Sequence, residues 1–481
     1  MNPVLPGFHP DPSIVLVDGT YYLVTSTFEY LPGLPVHRST DLVSWELVGH
    51  VAVRPEQLGL DDVPTPGGTW APTIRHRDGT FHVVVTVMLG GRGCVVFSAT
   101  DPAGPWSDGV QVPAVEGIDP DLAWDDDGTA LITFGGFPHP IRQVPVDLAT
   151  GEALGPVRVV WEGTGAFAPE GPHLYRRGEH WYLLVAEGGT DRGHRVSIAR
   201  GPSPSGPWEA NPDNPVITAV GTEHRVQNLG HADLVDTPDG GTALVLLGVR
   251  PLGFANAFSP LGRETFLAPV TWVDGWPQAT LPEPTGTPDE DVAGGDDWIA
   301  VRRTPSSVLT GDGLVLTGEG TTLADPRPVF VGRRQRHLGC AVDVVVDASA
   351  GRGGLAARHD EQHWFGLEAA TSGDRTVVTG RAVLSGLEST WTAAFPAGPV
   401  QLTIEQQLPP SGFVPAAIGG GVVRLLAAWA DADPVLLAEF DGRYWSYEVA
   451  KSFTGRVWGL FAVDGTVSFT DLRYRGSDVV S

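Results

Sequence analysis

The feature that most restricts what this chain can fold into is a pattern that occurs five times in its first half. Each occurrence runs in the same order: a chemically distinctive residue, a short apolar run, a Gly-containing turn, then an alternating strand. The five are "PDPSIVLVDGTYYLVTS" with Asp11, "WAPTIRHRDGTFHVVVT" with Trp70, "IDPDLAWDDDGTALITF" with Asp119, "PEGPHLYRRGEHWYLLVAE" with Glu170, and "HADLVDTPDGGTALVLLG" with His231. The distinctive residue precedes the turn glycine by eight or nine positions every time: Asp11 to Gly19, Trp70 to Gly79, Asp119 to Gly128, Glu170 to Gly178, His231 to Gly240. Two apolar runs around Asp-Gly or a similar pair read as a hairpin, because glycine accepts the positive φ of a tight turn.

One all-β unit repeated about every 50 to 60 residues predicts a propeller, and five units predict five blades. The first strand of each blade lines the central channel, so residues at one offset arrive at one height around the axis. Asp11, Trp70, Asp119, Glu170 and His231 are therefore expected to meet, although up to 220 positions separate them. Any one of these acids alone reads as a turn residue bonding nearby N–H groups, and a lone His as structural. Their matched offsets favour a site.

The 481 residues exceed one ordinary domain. The propeller is assigned to 1–285. The Pro-, Gly- and acid-rich run "LPEPTGTPDEDVAGGDDW" follows, and residues 286–299 are assigned as a linker. The remainder, 300–481, carries alternating segments such as "AVDVVVDA", "HWFGLEAA" and "VSFTDLRY" between turn clusters, and reads as a concanavalin-like β-sandwich. The fold class expected is thus all-β, a five-bladed β-propeller followed by a β-sandwich. The sandwich shows no catalytic constellation. Its expected role is packing, with a loop closing one mouth of the channel or independent sugar binding as the alternatives.

With 31 Lys+Arg against 57 Asp+Glu, the formal charge of −26 argues against nucleic acid or an anionic membrane as partner. No run of about 18 apolar residues is present, so no membrane helix is expected. The start "MNPVLPGFHP" has neither a basic nor an apolar leader region, and a cytoplasmic protein is the simplest expectation. Cys94 and Cys340 are the only cysteines and imply no disulfide framework.

Three carboxylates, a histidine and an indole suit cleavage of a glycosidic bond. That reaction needs one carboxylic acid to protonate the leaving oxygen and a carboxylate on the opposite face to activate water or attack. A third carboxylate near the acid raises its pKa by like-charge repulsion. Trp70 offers a face to a sugar ring, and His231 could orient a carboxylate, a water or a cation. Hydrolysis by a metal held on three acids and a His is an alternative. No cofactor is required by this reading.

The chain resembles glycoside hydrolase family 43, in the group of β-xylosidases and α-L-arabinofuranosidases that carry a C-terminal β-sandwich. The resemblance rests on "NPVLPGFHPDPSI", "TSTFEYLPG", "GGTWAPTIR", "GIDPDLAWDDDG", "PEGPHLY", "AEGGTDRGHRVSIARG", "GHADLV" and "LGRETFLAPVTWVDGWP", in that order, with "RRQRH" and "SFTGRVWGLFAVDG" in the second domain. It implies that Asp11 is the general base, Glu170 the general acid, and Asp119 the residue that tunes and orients the acid. It also implies that His231 lies on the channel axis near a water or a calcium ion, that Arg263 contacts sugar hydroxyls, and that Phe28 and Trp70 wall the terminal-sugar subsite. Asp121 departs from the small residue usual there, which leaves Asp119 and Asp121 as rivals for the pocket; the repeat offset favours Asp119. The family inverts configuration, so about 6.5–9.5 Å is expected between the carboxyls of Asp11 and Glu170.

The activity expected is exo-acting removal of terminal pentose from xylan-derived oligosaccharides, with xylose against arabinofuranose left open. The expected partner is an oligosaccharide, and a homo-oligomer is compatible with the sequence. The rivals are a sugar-binding propeller without turnover and a retaining fructosidase-type enzyme, though the latter would start with an "NDPNG"-like motif.

Overall fold

The computed structural model describes residues 2–136, 139–253, 256–293, 297–310, 313–410, 419–450 and 452–479. The chain divides into two compact units. The first comprises residues 1–5, 9–249 and 264–285; the second comprises 6–8, 250–263 and 286–481. Two short pieces of the first 285 residues thus group with the second unit.

The first unit is a five-bladed β-propeller. Each blade is an antiparallel sheet in simple up-and-down order, and the inner strands are Ser13–Val17, Gly68–Arg77, Ile118–Trp124, Glu170–Arg177 and Gln227–Asp236. Tight hairpins join the first two strands of blades 1 and 2. Val17 pairs with Thr20 around Asp18 and Gly19 (φ 48° and 79°), and Arg77 with Thr80 around Asp78 and Gly79 (φ 50° and 78°). Two successive positive φ values match the right-handed twist of the flanking strands, which is why Asp-Gly serves there.

The second strands of blades 3 and 5, Ala130–Gly136 and Thr242–Val249, are buried along their whole length rather than alternately. A strand covered on both faces by neighbouring blades needs apolar residues on both faces. Apolar clusters accordingly fill the five gaps between adjacent blades. Val36, Ile74, Val85 and Phe97 pack blade 1 on blade 2, for example, and Tyr21, Leu23, Val235 and Val245 pack blade 1 on blade 5. Each buried Val, Leu or Phe contributes about 1.5–3 kcal/mol.

A ring of polar contacts ties the inner strands of all five blades. Arg75 from blade 2 reaches Asp121 of blade 3 (2.7 Å) and Asp233 of blade 5 (3.0 Å). Blade 4 adds Tyr175, whose hydroxyl donates to Asp233 at 2.5 Å and accepts from the Leu234 N–H at 2.9 Å. Blade 4 also sends the Leu174 N–H to Asp121 (2.9 Å). From blade 1 the Ser13 hydroxyl donates to Asp233 (2.8 Å) and accepts from the Ile74 N–H (3.1 Å). Both aspartates are fully buried and Arg75 nearly so. Burial pushes the Asp233 carboxyl up, but Arg75, then His173 and the Tyr175 hydroxyl, outweigh it and hold it well below the ordinary carboxylate range.

The second unit is a β-sandwich. Two long bent strands, Gly339–Asp360 and Val457–Ser477, pair antiparallel along most of their length, from Gly339↔Ser477 to Arg358↔Val457. Three register shifts, between Asp343 and Val345, Asp347 and Ala350, and Arg352 and Gly353, bend the pair. Its core includes Val342, Val344, Leu355, Phe365, Leu367, Leu402, Leu425, Trp458 and Leu460. Of the stretch read as a linker, residues 294–296 lie outside the described residues, and Glu290–Ala293 is a strand paired with Val457–Ser477. The acids that made it look like linker have found partners: Glu290 bridges to Arg336 (2.8 Å) and Asp291 to Arg473 (2.5 Å).

Replacing Arg75 by Met leaves two buried carboxylates without their cation and should cost roughly 3–5 kcal/mol, read as a lower urea midpoint. The folded Asp233 carboxyl titrates below its unfolded value of about 3.9, so its contribution is complete above that pH and is lost as pH falls further. Acid titration of unfolding should show the wild type losing stability below about pH 4, and Asp233→Asn losing less over that window.

Candidate active site

The inner strands do not keep strict alternation at their first residues. Register shifts fall between Thr69 and Pro72, between Ile118 and Asp121, between Glu170 and His173, and on both sides of Gly230. Trp70, Asp119, Glu170 and His231 lie in or at the edge of these irregularities, which re-aim a side chain that a regular strand would send to one face. Asp119 and His231 have φ of 54° and 46°, and Asp11, two residues ahead of its strand, has 56°. Asp and His tolerate this left-handed region better than most residues, at a strain on the order of 1–3 kcal/mol each.

The result is a tight cluster. Ligand atoms of Asp119, Glu170 and His231 lie within 4.8 Å of one another, and His231 Nδ1 is 4.0 Å from Asp119 Oδ2. Asp119 and His231 are buried, while Glu170 keeps 15% of its side chain exposed. The Gly171 N–H donates to Asp119 Oδ2 at 3.3 Å, linking blade 4 to blade 3 beside Glu170. Gly171 itself has φ 53°, and a Cβ built there would lie 2.9 Å from His231 Cε1, so only glycine lets the imidazole sit against this backbone.

Asp11 is buried at the head of blade 1 and accepts a 2.5 Å hydrogen bond from the Ser26 hydroxyl. Trp70 is half-buried, its indole N–H donating to the Pro66 carbonyl at 3.0 Å, which fixes the ring. Phe28 is only 1% exposed and pairs through its backbone with Thr69. Asp121 is turned into the Arg75 ring of contacts, two residues beyond Asp119. Arg263 falls in the second unit, where its guanidinium lies over Phe453 (5.4 Å) and Tyr447 (5.7 Å).

One residue of this cluster was given no role from the sequence. His194 is buried, and its Nδ1 lies 3.0 Å from the Asn228 carbonyl, which only accepts. Nδ1 therefore carries the proton, and Nε2 faces Glu170 Oε1 at 3.8 Å. The ring occupies the space a side chain at residue 230 would need: a Cβ on Gly230 would come within 2.3 Å of it. His173 bridges the site and the ring of contacts, 3.2 Å from Asp121 and edge-on to His231 at 6.5 Å.

Asp119, Glu170 and His231 offer two carboxylate oxygens and one imidazole nitrogen. A calcium ion takes six to eight oxygens, so these three side chains would need waters to complete its shell. Two carboxyls within 4.8 Å, one on a partly exposed side chain, can divide the roles of charged and protonated group, which suits proton transfer to a leaving oxygen.

A family model described as "Glycosyl hydrolases family 43" matches residues 1–277, and one described as "Beta xylosidase C-terminal Concanavalin A-like domain" matches residues 295–474. The chain is 35% identical to a non-reducing end alpha-L-arabinofuranosidase of Bacteroides ovatus, over 96% of this chain and 90% of that protein. It is 41% identical to a xylosidase/arabinosidase of Butyrivibrio fibrisolvens, over 57% of this chain and 55% of that one. A solved structure of xylan beta-1,4-xylosidase from Bacillus halodurans superposes with a TM-score of 0.86 at 29% identity, covering 98% of this chain and 99% of that one.

Gly171→Ala combines a strained φ with a clash against the His231 ring. It should lower the thermal midpoint by several degrees and displace the histidine, which a melting curve and the imidazole NMR resonances would report. An unchanged His231 environment would count against the packing described here.

Proposed function

The chain belongs to glycoside hydrolase family 43 and is a glycosidase, and from that premise we propose an exo-acting, inverting enzyme that releases terminal β-D-xylose or α-L-arabinofuranose from xylan-derived oligosaccharides. The observation that carries the reading is the convergence of Asp119, Glu170 and His231 from three inner strands. In this reading Glu170, the partly exposed member, donates its proton to the departing oxygen. Asp11 accepts a proton from the water that attacks the anomeric carbon from the other side, and the Ser26 hydrogen bond holds its carboxyl in place.

Asp119 serves the acid in two ways. Its negative charge, within 4.8 Å of the Glu170 carboxyl, favours the protonated over the ionised form of Glu170. Its bond from the Gly171 N–H also fixes the backbone that carries the acid. His231 is wedged against Gly171 and keeps the two blades in register. The half-buried Trp70 ring gives the sugar an apolar face. The names of the relatives divide between arabinofuranose and xylose, and pocket walls choose between two such pentoses at about 1–3 kcal/mol.

Glu170→Ala and Asp11→Ala should each lower kcat by roughly 10²–10⁴ on an aryl β-D-xyloside or aryl α-L-arabinofuranoside, with melting temperature kept. The acid variant should regain rate on a leaving group that departs without a proton, and the base variant should not. If the two respond alike to leaving-group acidity, the roles are misassigned. Proton NMR of the first sugar released should show the inverted anomer, and the retained anomer would exclude water attack through Asp11. Dialysis against EDTA should leave kcat/KM within about twofold; a larger loss would mean that a metal completes the site.

A further inference from the structure

Far along the chain from the channel residues, two hairpins of the second unit bring an acid, an imidazole and a hydroxyl into line. The long strand Gly339–Asp360 turns back into His363–Ser372, with Asp360 paired to His363. Both Asp360 oxygens lie close to His363 Nδ1, at 2.8 and 3.0 Å, and the Gln362 N–H donates to Asp360 Oδ1 at 2.7 Å. Burial pushes the Asp360 carboxyl up, but the hydrogen bond from His363 outweighs it and keeps the group below its ordinary value. An ionised carboxylate only accepts, so Nδ1 carries the hydrogen, and in the neutral form of the ring Nε2 is the acceptor. Ser385 Oγ lies 2.9 Å from that Nε2.

The burial pattern is that of a working relay. His363 and Asp360 are buried, whereas Ser385 is exposed at the tip of the hairpin between Arg375–Leu384 and Leu387–Pro396. Its backbone has φ 46°, and its N–H donates to the Gln362 carbonyl at 2.9 Å, so the hydroxyl is held over the ring. A Cβ built on the next residue, Gly386, would meet no atom within 4 Å, and Leu387 beyond it is 70% exposed. Space and an apolar contact thus lie next to the hydroxyl. A nucleophile and base within hydrogen-bond reach, with the base oriented by a third group, is the geometry of activated serines.

We propose that Ser385, His363 and Asp360 form a second active site, independent of the glycosidase cluster, that transfers acyl groups from small carboxylic esters. Ser385 Oγ forms a bond to the ester carbonyl carbon as its proton passes to His363 Nε2. Collapse of the tetrahedral adduct breaks the bond to the alkoxy oxygen, which leaves as the alcohol with that proton. Water then repeats the two steps on the acyl-serine, releasing the carboxylic acid and restoring the hydroxyl. Asp360 holds the ring in the required tautomer and offsets its charge while it is protonated.

The full chain is tested with p-nitrophenyl acetate and, separately, with a fluorophosphonate probe, which forms an Oγ–P bond with loss of fluoride. Ser385→Gly removes the hydroxyl and accepts the left-handed backbone, so the fold and the pentosidase activity should be kept. Glu170→Ala should retain the esterase activity. The expected result is phosphonylation mapped to Ser385 and release of p-nitrophenolate that falls at least tenfold in Ser385→Gly. Absence of an adduct on Ser385, or equal ester hydrolysis by wild type and Ser385→Gly, would overturn the proposal and leave the three residues as a hydrogen-bonded link between hairpins.

Discussion

The ion pairs of Arg75 with Asp121 and Asp233 are the constraint on which the propeller depends. A closed ring of five sheets has apolar contacts between every pair of neighbours, and such contacts are non-directional: they fix that blades touch, not at what height. One guanidinium held between carboxylates from two other blades does fix the height, because its donors form a rigid planar fork. Tyr175 and Ser13 bring in the remaining two blades through single atoms that both donate and accept. The buried charges bring little net stability by themselves, since desolvation offsets much of their attraction. Their contribution is registration.

Registration matters because the cluster above the ring has little tolerance. Asp119, Glu170 and His231 come from three blades and meet within 4.8 Å, each beside a register irregularity of its strand, two of them on strained backbone. Slippage of one blade by a residue would reverse the side chain it presents. Asp121 and Asp233 stand two residues beyond Asp119 and His231 on the same strands, so holding one layer limits where the other can lie. Where a glycine stands in the cluster, it is because a ring from another element fills the place of a side chain: His231 at Gly171, His194 at Gly230.

The propeller was legible in the sequence because its turn residues repeat. Asp-Gly pairs dictate hairpin geometry locally, and the offset of eight or nine positions to the distinctive residue reflects blade height. The ring of contacts was not legible in the same way, since its members are of five different types, Ser, Arg, Asp, His and Tyr, and a search for one repeated chemistry passes over them. Its trace was nevertheless present: acids at the same short step beyond Asp119 and beyond His231. His194 left no such trace, because it comes from outside the inner strands and reaches Glu170 through a gap that exists only in three dimensions. Composition misled at 290–293, where Pro, Gly and acids around the segment read as linker while Arg336 and Arg473 wait elsewhere in the chain to neutralise them. Arg263 stands one residue before the blade-5 strand Glu264–Val273, yet it groups with the second unit, a division that linear order does not announce.

The hydrogen bond from Ser13 to Asp233 spans 220 positions of chain. At a synthesis rate of about 5–20 residues per second, blade 1 emerges from a ribosome roughly 10–40 s before its partner exists. Hairpins of the first four blades can form in that interval, since their contacts are local, but Arg75 then holds only one of its two carboxylates. A nascent chain of this protein therefore carries an unsealed seam between its first and last blades until the strand that holds Asp233 has emerged. Contacts of such long sequence separation form slowly, and the seam is where a trigger of misfolding or capture by a chaperone would act.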